Sequence, residues 1–310
     1  MMEKQQAIIS ELKKVINGKD EVIAKVLMAF LAQGHVLLED IPGVGKTTLA
    51  LGFSKAMGLD YKRVQCTPDV IPSDIVGFTI YNKDSGALEY KPGSIMCNLF
   101  LADEINRTSS KTQSALLEVM QEGNVTVDGM TYPVPKPFSV IATQNPMGSA
   151  GTQMLPEAQL DRFMISLQMG YPNFESQIDI FKNRQKSNPL DKVEQVVSCE
   201  ELVAMQQEVN DIYLKDDMLA YITRLMEATR NHEWVRLGVS PRGGLALYSM
   251  AKAHAYFEQR DYVIPEDIMA VFVDVCKHRL VLNSKARVNN TTPADILNQI
   301  LKETEAPAYE

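Results

Sequence analysis

Glu39-Asp40-Ile41-Pro42-Gly43-Val44-Gly45-Lys46-Thr47-Thr48 is the stretch from which the rest of this chain can be read. Before it, residues 35–39 form a short apolar run with strand character. After it, Leu49, Ala50, Phe53 and Met57 recur at helical spacing until Gly58 closes the segment. A turn of small residues between a strand and a helix lets backbone N–H groups approach a phosphate, and the helix N-terminus adds positive potential. Lys46 is placed to reach β- and γ-oxygens, and Thr47 to ligate Mg²⁺. Asp40 stands where the strict pattern has glycine, but Gly43 and Gly45 still permit a tight turn. The candidate loop residues are Asp40, Pro42, Gly43, Val44, Gly45, Lys46, Thr47 and Thr48. A chance Gly-Pro turn with a surface lysine is the competing reading.

About fifty residues further on, Asn98-Leu99-Phe100-Leu101-Ala102-Asp103-Glu104 ends an apolar strand in two carboxylates. Beside a phosphate loop, Asp103 is the candidate Mg²⁺ ligand, directly or through water. Glu104 is the candidate group to orient and polarise an attacking water. Alone, an apolar strand ending Asp-Glu is common; its distance from the loop gives it meaning.

The organisation agrees. Helical periodicity covers residues 3–16, and a second helix capped by Asp20 runs on to about Gly34. Strand character recurs at 61–66, 99–102, 138–143 and 164–167, with a helix at 110–121. Strands alternating with helices imply a mostly parallel sheet with right-handed crossovers. Past Pro172 strand-like runs nearly vanish. Helical patterns fill 176–184, 199–210, 217–231, 241–259, 265–279 and 293–302, with loops at 188–189 and 283–290. The expected architecture is an α/β domain over 1–172 followed by an all-α domain over 173–310.

Composition limits the function classes. At about 150 residues per domain, 310 residues make two domains. A 45% hydrophobic share with 23% charged residues excludes a disordered or fibrous chain. Lys plus Arg number 31 against 39 for Asp plus Glu, a formal charge of −8, which disfavours a surface held on nucleic acid by phosphate neutralisation. Cys66, Cys97, Cys199 and Cys276 lie far apart without metal-ligand spacing, so they read as reduced thiols of a cytoplasmic protein. The apolar stretch at 22–38 is interrupted by Lys25, Gln33 and His35 and is too short and polar to span a bilayer. The N-terminus shows no continuous apolar signal segment.

The phosphate loop and Leu99-Phe100-Leu101-Ala102-Asp103-Glu104-Ile105-Asn106-Arg107 together resemble AAA+ ATPases. The likeness sharpens in Lys111-Thr112-Gln113-Ser114-Ala115-Leu116-Leu117-Glu118 and Met120-Gln121-Glu122-Gly123. It sharpens again in Ala142-Thr143-Gln144-Asn145-Pro146 and in Leu155-Pro156-Glu157-Ala158-Gln159-Leu160-Asp161-Arg162-Phe163. From about residue 15 to 242 the chain resembles the MoxR family. The resemblance implies a P-loop AAA+ core with a helical lid, and an ATPase using ATP and Mg²⁺. It implies assembly into a ring, expected to be hexameric, that remodels client proteins like a chaperone. It further implies a separate partner bearing a von Willebrand factor A domain.

By position, Asn145 matches sensor 1 and Arg162 the arginine finger, which in this family acts on the nucleotide of the next subunit. The competing use of Arg162 is an intrachain pair with Asp161 or Glu157. Arg242, in Ser240-Pro241-Arg242-Gly243, matches sensor 2, with Ser240 as N-cap and Pro241 as first helical residue. Val15, Ile16 and Gly18 fall in the segment that packs on adenine, although Asn17 and Lys19 depart from its pattern. Asp74-Ile75-Val76-Gly77-Phe78-Thr79 with Gly86-Ala87-Leu88-Glu89-Tyr90, and residues 124–132 with the turn Asp128-Gly129, match hairpins that face the pore of such rings. Met147-Gly148-Ser149-Ala150-Gly151 replaces a stretch that is commonly acidic in the family.

Two other classes fit the same core: a nucleic-acid or transcription-activating motor, and a nucleotide-gated scaffold with little turnover. Gly77-Phe78-Thr79 is the feature favouring the first, and the intact Asp103-Glu104 pair opposes the second.

Overall fold

The computed structural model describes residues 2–84, 86–145, 154–186 and 188–308. Residues 36–38, 99–102 and 140–142 are apolar and have no exposed surface. Strands buried on both faces in this way belong to a parallel sheet covered by helices. Helices α1 (Met2–Lys13) and α2 (Asp20–Leu31) lead into β1 (Val36–Glu39), then α3 (Lys46–Ala56), β2 (Tyr61–Gln65) and the short α4 (Pro72–Val76). The hairpin β3 (Gly77–Asn82) and β4 (Ala87–Pro92) follows, and then β5 (Leu99–Asp103) and α5 (Ser110–Glu122). A second hairpin, β6 (Asn124–Val127) and β7 (Met130–Pro133), precedes β8 (Ser139–Gln144), α6 (Glu157–Leu160) and β9 (Ile165–Leu167). The five long-range strands pair in the order β2-β5-β8-β1-β9, every pair parallel. The carboxyl ends of β1, β5 and β8 therefore share one edge, with β8 between the other two.

From residue 174 onward the chain is mainly helical: α7 (Phe174–Lys186), α8 (Cys199–Asn210), α9 (Asp216–Asn231), α10 (Pro241–Phe257) and α11 (Pro265–Cys276). A two-stranded antiparallel pair, β10 (Val235–Leu237) and β11 (Val281–Leu282), is followed by α12 (Ser284–Val288) and α13 (Pro293–Glu303). One apolar cluster joins α1, α2 and α3, one face of the sheet, and α8 to α11; α2 packs on α8 and α10, and α11 packs on β9. A second cluster fills the opposite face under α5 and the hairpins.

Several local expectations are corrected. Asp20 is not the cap of α2. Lys19 stands there without a side-chain bond, and Asp20 is the first helical residue, paired with Lys13 at 2.6 Å. The loop expected at 283–290 contains α12, because the Asn283 side chain accepts from the Lys285 and Ala286 amides and caps a helix. The first hairpin begins only at Gly77, since the 74–76 segment closes α4. The second keeps its expected turn: Asp128 and Gly129 both have positive φ, at 49° and 78°, as a type I′ turn requires. Pro146 and residues 147–151 lie outside the described residues. Cys66, Cys97 and Cys276 are buried free thiols whose pKa burial pushes up to about 12.

Candidate functional site

The loop over residues 40–45 leaves β1 at the carboxyl edge of the sheet. Gly43 and Gly45 hold φ of 85° and 100°, and a side chain at Gly43 would meet nothing within 4 Å among the described residues. The turn thus depends on glycine at both positions, and its outer side is open. Gly45 is the N-cap position of α3, so Lys46, Thr47 and Thr48 form the first turn of that helix. The Lys46 ammonium donates to the Asp40 carbonyl at 2.9 Å and the Ile41 carbonyl at 3.1 Å. Partial burial pulls it below the ordinary lysine range, while Asp40, Asp103 and Glu104 pull it back up.

Asp103 ends β5 almost buried. Its Oδ1 accepts from Thr143 Oγ1 at 2.7 Å, and its Oδ2 from Arg63 Nη2 at 2.6 Å and Nε at 3.2 Å. Glu104 sits in left-handed backbone at φ 57° and donates its amide to Thr143 Oγ1 at 2.8 Å. A non-glycine residue in this region is uncommon and is held there by its surroundings. Glu104 Oε2 accepts from Gln65 Nε2 at 2.9 Å and Arg107 Nη1 at 2.8 Å. Asn145, half-buried, follows the end of β8, the strand between β1 and β5. Oxygen donors from Thr47 and Asp103 beside Lys46, with open space over Gly43, suit a Mg²⁺-bound polyphosphate.

Arg63, Gln65, Arg107 and Thr143 were not singled out in the sequence. Arg63 and Gln65 are two apart on β2, hence on one face, and Gln65 is in register with Asp103. That alternation of polar residues was the available signal, but using it requires knowing that β2 pairs with β5.

Asp40 proves to have a different use from the loop residues around it. It is 6% exposed, and its carboxylate accepts from the amides of Met169 and of Gly170, the latter at 3.1 Å. The side chain at the non-glycine position therefore ties the loop to the chain leaving β9 instead of facing a ligand. Beside the loop opens a cleft lined by Val15, Ile16, Pro42, Val44, Thr48 and Met169. Gly18 does not line it. At φ 68°, an added Cβ there would come 2.3 Å from Ser176 Oγ, so Gly18 serves contact with α7.

Arg162 and Arg242 lie elsewhere. His35, just before β1, contacts the Met120 carbonyl through Nε2 at 2.9 Å, and its own carbonyl accepts from the Met164 amide at 2.8 Å. The end of α5 and residues 162–164 are thus at the amino edge of the sheet. Arg162 Nη1 donates to the Leu117 carbonyl at 2.6 Å, and its Nε is buried with no hydrogen-bond partner among the described residues. Arg242 donates to Gln121 Oε1 at 3.1 Å, from the first turn of a helix capped by Ser240 Oγ. Gln121 also lines the shallow pocket that contains Arg162. Both arginines are separated from the chain's own loop by the height of β1, on the order of 10 Å. The competing intrachain pairs for Arg162 are not formed: Asp161 pairs with Arg279 and Glu157 with Arg236.

Comparison with known proteins adds a lineage to this geometry. Residues 35–165 match the model of the ATPase family associated with various cellular activities (AAA), and residues 227–300 match the AAA lid domain. The chain is 46% identical to the uncharacterised protein YeaC of Bacillus subtilis, covering 96% of this chain and 93% of that protein. It is 39% identical to Chaperone MoxR1 of Mycobacterium tuberculosis over 96% of this chain and 81% of the relative. Protein MoxR of Methylorubrum extorquens is 30% identical, with 96% and 93% covered. A solved chain from Cytophaga hutchinsonii, assigned as an ATPase, superimposes with a TM-score of 0.92 at 38% identity, covering 99% of this chain and 96% of its own.

Proposed function

This chain belongs to the MoxR family of AAA+ ATPases, and from that membership we propose that each subunit carries half of a catalytic site on either side, completed only in a ring. It is an ATP-hydrolysing P-loop enzyme of a chaperone-like family. The observation that carries the proposal is the separation of the loop and carboxylates, at one edge of the sheet, from Arg162 and Arg242 at the other.

On this reading residues 1–172 are the motor and 173–310 the lid. Thr47 and Asp103 would hold Mg²⁺, which when bound would neutralise charge on the phosphates. Residues 43–48 bind the phosphates through backbone N–H groups and the Lys46 ammonium. Val15 and Ile16 offer apolar contact to the base. Glu104 takes the proton of the attacking water, with Asn145 fixing that water or the γ-phosphate. In the described conformation Gln65 and Arg107 hold Oε2 of that carboxylate. Arg162, with Arg242 beside it, neutralises charge at the γ-phosphate of the neighbouring subunit. The buried Arg162 Nε, without a hydrogen-bond partner among the described residues, and the exposed Arg242 support that use.

The work performed is proposed to be remodelling of client proteins, with a separate von Willebrand factor A domain protein as partner. Exposed Phe78, Tyr81, Leu88 and Met130 on the two hairpins supply an apolar client surface. The test is Mg²⁺-dependent ATP turnover measured against chain concentration. Turnover per chain should rise steeply as rings assemble. Constant turnover per chain down to concentrations at which the protein is monomeric would remove the shared-site reading.

A further inference from the structure

Arg279 lies in a short 3₁₀ turn (Lys277–Arg279) directly after α11 and is 5% exposed. Its Nε donates to Asp161 Oδ1 at 2.9 Å. Its Nη2 donates to the carbonyls of Asp161 at 3.3 Å and Phe163 at 2.5 Å, and its Nη1 to the carbonyl of Met164 at 3.2 Å. Nη1 also reaches the Val275 carbonyl in α11 and His278 Nε2 in its own turn. One guanidinium from the lid therefore grips the backbone on both sides of Arg162, whose side chain leaves toward Leu117.

Asp161, next to Arg162, has a second attachment. Its carboxylate accepts from Ser240 Oγ at 2.8 Å, and Ser240 Oγ accepts from the Gly243 amide at 3.0 Å as the cap of α10. A single carboxylate thus joins the Arg162 segment, Arg279 and the helix start that presents Arg242. Gly243 permits this approach: a side chain there would come 2.7 Å from Arg279 Cδ. A buried arginine–carboxylate pair adds little net stability over apolar packing, but its fork geometry is specific.

We infer that Arg279 is a positioning residue for Arg162, and that Arg279 with Asp161 fixes Arg162 and Arg242 as one rigid unit directed at the neighbouring subunit. The inference rests on the reading that Arg162 acts across the subunit boundary. A displacement of about 1 Å in such a group lowers turnover about 100-fold while leaving binding at the opposite edge intact. Arg279→Lys keeps a cation near Asp161 but loses the fork.

The experiment compares ATP turnover and ADP affinity of assembled Arg279→Lys, Arg162→Ala and Glu104→Gln chains, alone and mixed. Arg279→Lys should lower kcat about 10- to 100-fold, with ADP affinity unchanged because the phosphate loop is untouched. Mixing it with Glu104→Gln chains, which bring an intact Arg162, should restore turnover. Mixing it with Arg162→Ala chains should restore nothing, and the Arg162→Ala/Arg279→Lys double variant should be no slower than Arg162→Ala alone. Wild-type turnover in Arg279→Lys, with Arg162→Ala inactive, would overturn the clamp and leave the shared site standing. Rescue by Arg162→Ala chains would also overturn it, since the defect would then lie outside Arg162. Wild-type turnover in Arg162→Ala itself would remove both readings. If Arg279→Lys fails to fold by thermal melting, the near-isosteric Asp161→Asn carries the same expectations through the same mixtures.

Discussion

Asp40 shows what a motif leaves open. It occupies the position of a phosphate-loop glycine, yet its buried carboxylate is committed to the Met169 and Gly170 amides. Asp40→Gly would bring the loop closer to the strict pattern and still destabilise the protein, because two amides lose their acceptor. The expected cost is about 1–3 kcal/mol, read as a lower denaturant midpoint. No loss of stability would show that those bonds are dispensable. Glu104→Gln should hold nucleotide and lower hydrolysis by about 10²- to 10⁴-fold, the range of a lost general base. Lys46→Ala should fail to retain nucleotide in an equilibrium titration. The phosphate loop and the Asp103-Glu104 pair were legible because their spacing is local to one strand–turn–helix unit and one strand end. Arg63, Gln65 and Thr143 were not, because they reach the carboxylates from neighbouring strands and become visible only with the pairing order β2-β5-β8.

At the scale of elements, His35 holds three parts of the motor together. Its Nδ1 accepts from the Val140 amide at 3.0 Å and its Nε2 faces the Met120 carbonyl at 2.9 Å, which requires the neutral ring protonated at Nε2. Burial lowers its pKa from 6.5 to about 4, although the Met120 carbonyl opposes the shift. The unfolded chain therefore binds the proton first as pH falls. Stability is full above pH 6.5 and is lost between about 6.5 and 4, by roughly 3 kcal/mol from this group. Unfolding free energies measured across that window should show the slope, and His35→Gln should flatten it. An unchanged slope would mean that His35 titrates normally.

The two hairpins also behave as one element. The Tyr90 and Tyr132 rings stack at 4.0 Å, and Thr79 Oγ1 donates to Asp128. A double-mutant cycle with Tyr90→Leu and Tyr132→Leu, read by unfolding, should give a coupling of about 0.5–1.5 kcal/mol. Additive effects would separate the hairpins. The second hairpin was legible in its Asp128-Gly129 turn, but the contact between the two hairpins was not, because nearly fifty residues separate Thr79 from Asp128.

For the whole molecule, the division between a sheet-bearing half and a helical half was legible in the change of periodicity past residue 172. How the later helices sit was not. They pack on α2 and against the start of β9, bringing Arg242 beside Arg162 and away from the chain's own loop. On the shared-site proposal, a face with two arginines would meet a face with a phosphate loop as a heterologous pair, which closes into a ring when the rotation permits. The formal charge of −8 is compatible with this, because few cations are required and their positions matter more than their number. The most direct test mixes Arg162→Ala chains with Glu104→Gln chains. Each alone should be nearly inactive. In a randomly mixed ring about one interface in four joins an intact Glu104 to an intact Arg162, so turnover should recover to about a quarter of wild type. A mixture that assembles yet stays inactive, or Arg162→Ala rings that turn over at the wild-type rate, would contradict the account.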